Sequence, residues 1–427
     1  MNLRTSISAA FLLLAMGVAQ AQAPGFDQLQ DQGVVAYKAK DYKGLEQRMR
    51  EALKLRPNHP RALYNLAASL ALQGDAEGSL ALLEKLAAMK LGYRPDKDPD
   101  FDSLKGSRWR KVQRQLDKNR QPRGRAQYAF TIGTREFLPE GIAYDPDSRR
   151  FFVSSVRQRR VLGISISAAE KNLVPPASNS LWSAMGMVRD PATQLLWIAS
   201  SALPEMDGYA EADRGKAGLF VFSLPDGAPK ARHLLPADGH EHVLGDVILG
   251  APGTLYTSDS AGGAIYKVDA ASGKFTRLTK PGALESPQGM ALAKDGKRLY
   301  VADYNRGLFV LDLGTGALAP MQTPEDICLY GIDGLYRFED RLVAVQNGTR
   351  PSRVMEFELD TGGGGVAKQR VLAANHPDFE EPTLGVIVDE DFYFVANSQW
   401  NRIGPDHQFD KVDDRLQPPV VLRIELD

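Results

Sequence analysis

The sequence predicts a mainly β protein, in which a six-bladed β-propeller follows an α-helical repeat module. Apolar residues recur at helical spacing over residues 27–120, and alternate with period two from Tyr128 onward. Across the latter region a single strand motif recurs six times, with starts 43 to 60 residues apart. Four-stranded units at that period, in about 300 residues, are typical of propeller blades.

The N-terminal 21 residues have the pattern of a secretory signal peptide. A single charge, Arg4, precedes the apolar run from Ala9 to Val18, and small residues follow in Ala19-Gln20-Ala21. We expect cleavage after Ala21; cleavage after Ala23 and an uncleaved anchor are the alternatives. Since the run is short of the roughly 20 residues that a bilayer span needs, and no later segment is apolar enough, we expect a periplasmic or secreted protein without a transmembrane segment.

Residues 22–125 form the predicted helical module, and the sequence repeats itself there. Lys40-Asp41-Tyr42 and Gly74-Asp75-Ala76 lie 34 residues apart, as do Met49 and Leu83. This period, with a turn between paired helices, resembles the tetratricopeptide repeat. A final helix pair is expected at 100–104 and 109–116. The resemblance implies a module that binds a protein partner; a structural extension of the propeller is the alternative.

Residues 126–427 form the predicted propeller. Five of the units begin with a residue followed by glycine, and the third begins with Gly-Asp. Each unit then continues into two strands. The six starts are Glu140-Gly141, Met185-Gly186, Gly245-Asp246, Gln288-Gly289, Asp333-Gly334 and Leu384-Gly385. We expect the strand at 127–131 to pair with 420–424 of the last blade, which closes the ring and leaves no exposed edge.

Charge is unevenly divided between the helical module and the propeller. Residues 27–125 carry 21 Lys+Arg against 13 Asp+Glu, and residues 126–427 carry 30 against 40. The two modules could attract each other, the first could meet an anionic surface, or the charges could form solvated faces. Nothing in the pattern favours nucleic-acid binding. The single cysteine, Cys328, excludes an internal disulfide and is predicted to be a buried apolar residue.

The starts of the inner strands predict a functional site. In a propeller these strands line the central channel, so the side chains before the repeated glycines converge at one mouth. Glu140, Asp246 and Asp333 bring three carboxylates there, and Gln288 brings an amide oxygen. Such oxygen ligands fit a divalent cation, Ca²⁺, Mg²⁺, Mn²⁺ or Zn²⁺. Without one, the carboxylates repel unless one of them is protonated.

These blade motifs resemble the senescence-marker-protein-30/gluconolactonase family over residues 126–427. The resemblance implies a metal-binding Glu140 in blade 1, and an Asp333 in blade 5 that is both metal ligand and general base. Blade 4 of the family carries Asn where this chain has Gln288, and blade 3 commonly carries Asn-Asp where it has Gly245-Asp246. Gln288 keeps the oxygen but moves it one methylene further, whereas Gly245 has no side chain to offer.

Two functional hypotheses follow. In the first, the protein hydrolyses small esters or lactones at the channel mouth: the cation polarises the carbonyl, bound water attacks, and Asp333 takes the proton. In the second, it is a non-catalytic propeller that binds a small molecule at the channel, with the helical module holding a partner in the cell envelope. The helical module and the departures at Gly245 and Gln288 favour the second hypothesis, and the intact Glu140 and Asp333 favour the first.

Three further features allow more than one interpretation. The alternate histidines of His240-Glu241-His242 could grip a metal or form an exposed polar loop. Trp400 could form the floor of a pocket or pack between blades. The polar residues that end second strands are predicted to bond backbone groups in turns, and they are Asp259, Asp303 and Asn397.

Overall fold

The structure is a computed structural model that describes residues 24–165, 168–409 and 415–427. The signal peptide predicted over residues 1–21 lies outside the described residues. In the described ranges, no helix is both long and apolar enough to cross a membrane.

The helical module begins with two antiparallel helix pairs, and the 34-residue period of the sequence is the period of these pairs. Asp41 and Asp75 cap the second helix of each pair by accepting hydrogen bonds from the N–H groups of Gly44 and Gly78 at 2.9 Å. A longer helix, α5, follows. The helices are α1 (Phe26–Lys38), α2 (Tyr42–Leu55), α3 (Pro60–Leu72), α4 (Ala76–Ala88) and α5 (Gly106–Arg120).

The predicted final helix pair is only half correct. Trp109 to Leu116 lie within α5, but the region of 100–104 contains no α-helix. Pro95–Lys97 and Pro99–Phe101 form two short 3₁₀ turns there instead. Two prolines four residues apart remove backbone donors and restrict the preceding residues, so a regular helix cannot run through them.

The remainder of the chain is a six-bladed β-propeller, as the motif predicts. Two strands precede the first blade, β1 (Arg123–Gly124) and β2 (Gln127–Thr131). Blades 1 to 3 contain β3 (Pro139–Asp145), β4 (Arg150–Ser155), β5 (Arg160–Ser165), β6 (Glu170–Val174), β7 (Ser183–Asp190), β8 (Leu195–Ser201), β9 (Ala217–Ser223), β10 (Pro229–Leu234), β11 (Leu244–Leu249), β12 (Thr254–Asp259), β13 (Ala264–Asp269) and β14 (Phe275–Arg277). Blades 4 to 6 contain β15 (Pro287–Leu292), β16 (Arg298–Asp303), β17 (Gly307–Asp312), β18 (Leu318–Pro320), β19 (Gly334–Phe338), β20 (Arg341–Gln346), β21 (Arg353–Leu359), β22 (Val366–Ala374), β23 (Gly385–Val388), β24 (Asp391–Val395) and β25 (Val420–Glu425).

The ring closes as the sequence predicts. Strand β2 pairs with β25, with Tyr128 opposite Leu422, and thereby supplies the outermost strand of blade 6. The inner strands β3, β7, β11, β15, β19 and β23 each contact the next, and β23 contacts β3. Strand β1 adds a fifth strand to blade 5, where Arg123 lies opposite Ala374. Strands β1 and β2 thus form the outermost strands of blades 5 and 6, respectively.

The helical module is packed on blades 4 and 5 through a shared core. Cys328 is fully buried, as predicted, and it lies among apolar residues of α3, α4 and α5. Arg353 of β21 is also fully buried, and its Nη1 donates to the carbonyl oxygens of Met89 (2.8 Å) and Lys90 (3.2 Å) just after α4. Ion pairs join Arg56 to Glu285 and Lys85 to Glu325. In both pairs the helical module supplies the cation and the propeller supplies the anion.

His59 makes the stability of this interface depend on pH. Its Nδ1 caps α3 by accepting from the N–H of Ala62, and burial together with Arg56 and Arg61 lowers its pKa to about 3. The unfolded chain binds a proton near the ordinary pKa of about 6.5, so folding loses stability as the pH falls from about 6.5 towards 3.

We expect that, between pH 7 and pH 5, the wild-type protein loses up to about 2 kcal/mol more unfolding free energy than His59→Asn. Asparagine caps helices well but does not titrate, so the variant keeps the cap and loses the pH dependence. Denaturant unfolding at both pH values measures the difference. Equal losses in the two proteins would contradict this role of His59.

Candidate functional site

The residues that begin the inner strands of blades 1 to 4 lie in β-bulges at the channel mouth. In blades 1 to 4 the register of the first strand pair shifts at residues 140–141, 185–186, 245–246 and 288–289. A bulge re-aims a side chain and increases the local twist. In blades 1 to 4 the repeated dipeptide is therefore the sequence signature of the bulge that turns the inner strand into the mouth.

The repeated glycine is needed because neighbouring blades approach closely there. A Cβ atom at Gly141 would lie 2.5 Å from the carbonyl oxygen of Met185, and one at Gly186 would lie 2.7 Å from that of Gly245. A Cβ at Gly289 would lie 2.4 Å from the backbone nitrogen of Leu335. Only glycine permits this contact between successive inner strands.

The structure brings Glu140, Asp246 and Asp333 into one electrostatic group. Glu140 and Asp246 are only 7% and 8% exposed, and Asp333 is partly buried. Burial, followed by the nearby Asp333 carboxylate, raises the pKa of Glu140 well above its ordinary value. Burial raises the pKa of Asp246 to about 7, and burial with the charges of Glu381 and Asp246 raises that of Asp333 to about 7. At neutral pH the total negative charge on these carboxyl groups is therefore smaller than their number.

Each carboxylate has a hydrogen-bond donor that fixes its orientation. The indole Nε1 of Trp400 donates to Oε2 of Glu140 at 2.8 Å, and Nδ2 of Asn347 donates to Oδ2 of Asp333 at 2.8 Å. Asp246 is held differently, because its Oδ1 accepts from its neighbour, the N–H of Val247, at 2.8 Å. Trp400 is thus the partner of a site carboxylate.

Gln288 lies at the same mouth, with its amide group between Ser286 and Gly245. Its Nε2 donates to Oγ of Ser286 at 3.1 Å, and its Oε1 lies 3.4 Å from where a Cβ of Gly245 would be. The absent side chain at position 245 therefore leaves space that the longer glutamine partly fills. This packing gives the two departures in blades 3 and 4 a common physical reason.

Sequence reasoning missed three residues of this site. Asn347 orients Asp333, and Glu381 raises the pKa of both Glu140 and Asp333. Tyr336 lies among the carboxylates: burial, then the charge of Asp246, raises its pKa well above the ordinary value, and its hydroxyl accepts from the N–H of Gly385 at 2.6 Å. Asn347 directly follows the second strand of its blade. This is close to the position that Asp259, Asp303 and Asn397 occupy in other blades, and it is the one sequence feature that could have identified Asn347 as a site residue.

A cavity of about 480 Å³ occupies the central channel beyond this mouth. Asp246 and Tyr336 are polar members of its lining, and Ile142, Met290 and Leu335 are among the apolar ones. An apolar channel beside a small number of convergent polar groups has the character of a small-molecule site.

The donor set of the mouth fits a cation incompletely. Within the described ranges, no three His, Cys, Asp or Glu side chains are close enough together to hold a metal ion. Glu140 and Asp333 nevertheless lie near each other, and Oδ1 of Asn347 is buried without a hydrogen-bond partner beside Asp333. Two carboxylates with a neutral oxygen are ligands of the kind that hard divalent cations take.

The histidine pair before blade 3 does not form a metal site. His240 is exposed, whereas His242 is 4% exposed and has both ring nitrogens bonded: Nδ1 to Asp259 (2.6 Å) and Nε2 to Asp238 (3.0 Å). No lone pair of His242 remains for a metal, so the alternative of a His-Glu-His grip is wrong.

The expected role of the residues that end second strands is confirmed. Asp259 accepts from the N–H groups of Val243 and Gly262, Asp303 accepts from four backbone N–H groups at 285–286 and 305–306, and Asn397 bonds the backbone of Pro418 and Val420.

Fold and site together define a six-bladed β-propeller with an N-terminal helical module and a cluster of carboxylates at its channel mouth. No family model matches this chain, and no curated protein matches it. Its propeller is similar to several solved structures. One is a calcium-binding protein, regucalcin from Agrobacterium tumefaciens (15% identity, TM-score 0.48, 70% of this chain and 96% of that chain).

Two other similar structures have different activities. One is a gluconolactonase from Xanthomonas campestris (15% identity, TM-score 0.44, 72% of this chain and 94% of that chain). The other is the PQQ-bound form of an aldose sugar dehydrogenase from Streptomyces coelicolor (14% identity, TM-score 0.47, 71% of this chain and 98% of that chain). At these identities the comparisons do not define a reaction for this chain.

Proposed function

We propose that the propeller is a hydrolase of small esters or lactones that acts at the channel mouth with a divalent cation. The observation that carries the proposal is the pair Glu140 and Asp333, which lie near each other at the channel mouth and are each oriented by a hydrogen-bond donor, Trp400 and Asn347 respectively. A carboxylate held in this way can accept a proton from water during catalysis. The mutual repulsion of these two carboxylates also favours a bound cation.

Glu140 and Asp333 would hold the cation, with amide oxygens of Asn347 and Gln288 as neutral ligands. When bound, the cation would supply Lewis-acid polarisation of the substrate carbonyl. Asp246, tied to the backbone by its Oδ1, contributes negative potential. This assignment keeps the four residues expected from the sequence at the site and gives Asp246 an indirect role.

The chain's own residues account for the proton transfers. Asp333 accepts the proton of the attacking water as the oxygen of that water bonds to the carbonyl carbon. The ester C–O bond then breaks, and Asp333 returns the proton to the leaving alkoxide. Asn347 orients Asp333 throughout, and Trp400 orients Glu140.

Calorimetric titration with Mn²⁺ or Ca²⁺ tests the cation site. We expect one equivalent to bind, and Glu140→Gln to weaken binding at least tenfold, because the variant removes a charged ligand and leaves an acceptor for Trp400. Glu136→Gln, at a nearby exposed position, is the matched control and should bind as the wild type does. Equal affinity in both variants would exclude Glu140 as a ligand.

A non-catalytic binding module is the second candidate, and one feature of α1 favours it. Val34, Val35 and Tyr37 are 48%, 68% and 42% exposed, and Val34 and Tyr37 line a groove of about 140 Å³ that Asp98 and Asp100 also border. This surface fits a protein segment with apolar and basic side chains. Abolished capture of such a partner in Val35→Asp, with hydrolysis absent from the wild type, would favour this candidate.

We also propose that the protein acts in the periplasm or outside the cell. The proposal rests on the charge, apolar run and small residues of the first 21 positions. Mass spectrometry of the protein isolated from expressing cells should find an N-terminus at Gln22, and an intact Met1 would contradict export by cleavage.

A further inference from the structure

A second cavity, of about 500 Å³, lies between the helical module and the propeller. One wall comes from α1, the turn between α2 and α3, and residues 91–93; the other comes from turns of blades 4 and 5 at residues 304–305, 330–331 and 348–350. We call it the intermodule cleft. Neither module forms it alone, so the way in which they pack creates it.

Two arginines enter the intermodule cleft from opposite modules. Arg61 belongs to α3 and Arg350 to the turn between β20 and β21, and within the described ranges neither makes an ion pair or a side-chain hydrogen bond. Both guanidinium groups lie near Tyr93, where their charges lower its pKa against the larger effect of burial. Arg56, by contrast, is already paired with Glu285. Among the described residues, the cleft therefore holds two free cations around one aromatic ring.

The module wall of the cleft also carries hydrogen-bond acceptors. Asp27, Gln30 and Asp31 of α1 line the cleft, and spacings of three and four residues place them on one face of the helix. Tyr304 and Tyr330 of the propeller add aromatic surface. An arginine from each module, acceptors from α1 and tyrosines from the propeller together match a ligand that has a carboxylate, hydroxyl groups and a compact body.

The intermodule cleft shares a wall with the channel mouth. Tyr304 lines the cleft, and its hydroxyl would lie 2.7 Å from a Cβ at Gly348, the residue that follows Asn347. Asn347 in turn donates to Asp333 at 2.8 Å. The charges of Asp333 and Glu381 add to the effect of burial in raising the pKa of Tyr304. One tyrosine thus separates the cleft from the carboxylate group.

We propose that the intermodule cleft binds a small hydroxy acid, with its carboxylate on Arg61 and Arg350 and its hydroxyl groups on the carboxylates of α1. This site is separate from the hydrolytic one, because Tyr304 lies between the cleft and Asp333. The helical module thereby supplies half of a second ligand site.

The test is a calorimetric titration of the full chain with D-glucuronate and with D-glucose, which lacks the carboxylate. We expect glucuronate to bind at least tenfold more tightly than glucose, and Arg61→Gln combined with Arg350→Gln to abolish that preference. Arg110→Gln, an exposed arginine of α5 outside the cleft, should bind as the wild type does. Equal binding of the two sugars, absent binding, or an unchanged preference in the double variant would overturn the proposal.

Asp333→Asn separates this proposal from the hydrolytic one. We expect the variant to bind glucuronate normally, because Asp333 lies beyond Tyr304 and outside the cleft lining. Normal binding by a wild-type protein that hydrolyses no ester or lactone would refute the hydrolase and leave the cleft supported. Absent binding of glucuronate by a wild-type protein that hydrolyses an ester or lactone would refute the cleft and support the hydrolase.

Discussion

Replacing Asp333 with asparagine is expected to lower the rate of ester or lactone hydrolysis about a thousandfold, in the range that loss of a general base produces. Asparagine has nearly the same shape and can still bond Asn347, but it cannot accept the proton of water. Steady-state kinetics on the substrate that the wild type hydrolyses best measures the effect. The loss should fall on kcat more than on KM, since the group acts mainly in the transition state.

The same variant should not destabilise the fold. The pKa of Asp333 is raised to about 7 from an ordinary value near 3.8, so its ionisation opposes folding as the pH rises between these values. Without added cation, Asp333→Asn should therefore unfold at a temperature no lower than the wild type at pH 8. Asp340→Asn, at an exposed turn of the same blade, is the activity control and should retain full activity. A fully active Asp333→Asn would remove Asp333 from the mechanism.

Replacing Arg353 with methionine is expected to lower the free energy of unfolding by about 3 kcal/mol. Nε of Arg353 donates to Gln346 at 2.6 Å, and Nη1 reaches Met89 and Lys90 of the helical module. Methionine fills much of the volume but leaves three buried acceptors without donors. Loss of the guanidinium desolvation cost offsets some of this penalty, since burial already lowers the pKa of Arg353 to about 10.

The loss should be concentrated in the helical module. Hydrogen exchange in Arg353→Met should accelerate in residues 26–120 before it does so in the blades, because the lost contacts join the module to blade 5. Arg232→Met, at an exposed position on β10, should change stability by no more than about 0.5 kcal/mol. Equal acceleration of hydrogen exchange in the module and in the blades would mean that Arg353 does not stabilise the packing of the helical module on the propeller.

The blade count and the ring closure could be predicted from the sequence because both are periodic. The dipeptide is visible in blades 1, 2 and 4 because a bulge and a close contact with the next inner strand demand a glycine at Gly141, Gly186 and Gly289. The 34-residue helix period was visible for a similar reason, since Asp41 and Asp75 occupy equivalent caps. The 3₁₀ turns at Pro95 and Pro99 have no counterpart in the repeat, so periodicity gave the wrong structure there.

Site partners were harder to predict because ring geometry, rather than spacing in the chain, brings them together. Trp400 and Glu140 are 260 residues apart and meet only because blade 6 lies beside blade 1. Arg61 and Arg350 likewise line one cleft only because the helical module packs on blades 4 and 5. For His242 the sequence allowed a metal contact that does not form, because Asp259 on the next strand bonds the Nδ1 that a metal would need.

The central claim is that this channel mouth hydrolyses an ester or lactone with a divalent cation. Its most direct test is the turnover of a lactone and ester panel by purified protein, first treated with a chelator and then reloaded with Ca²⁺, Mg²⁺, Mn²⁺ or Zn²⁺ in turn. We predict that at least one substrate is hydrolysed, that chelation abolishes the activity and that one of the four ions restores it. No turnover with any ion, or full turnover after chelation, would contradict the claim.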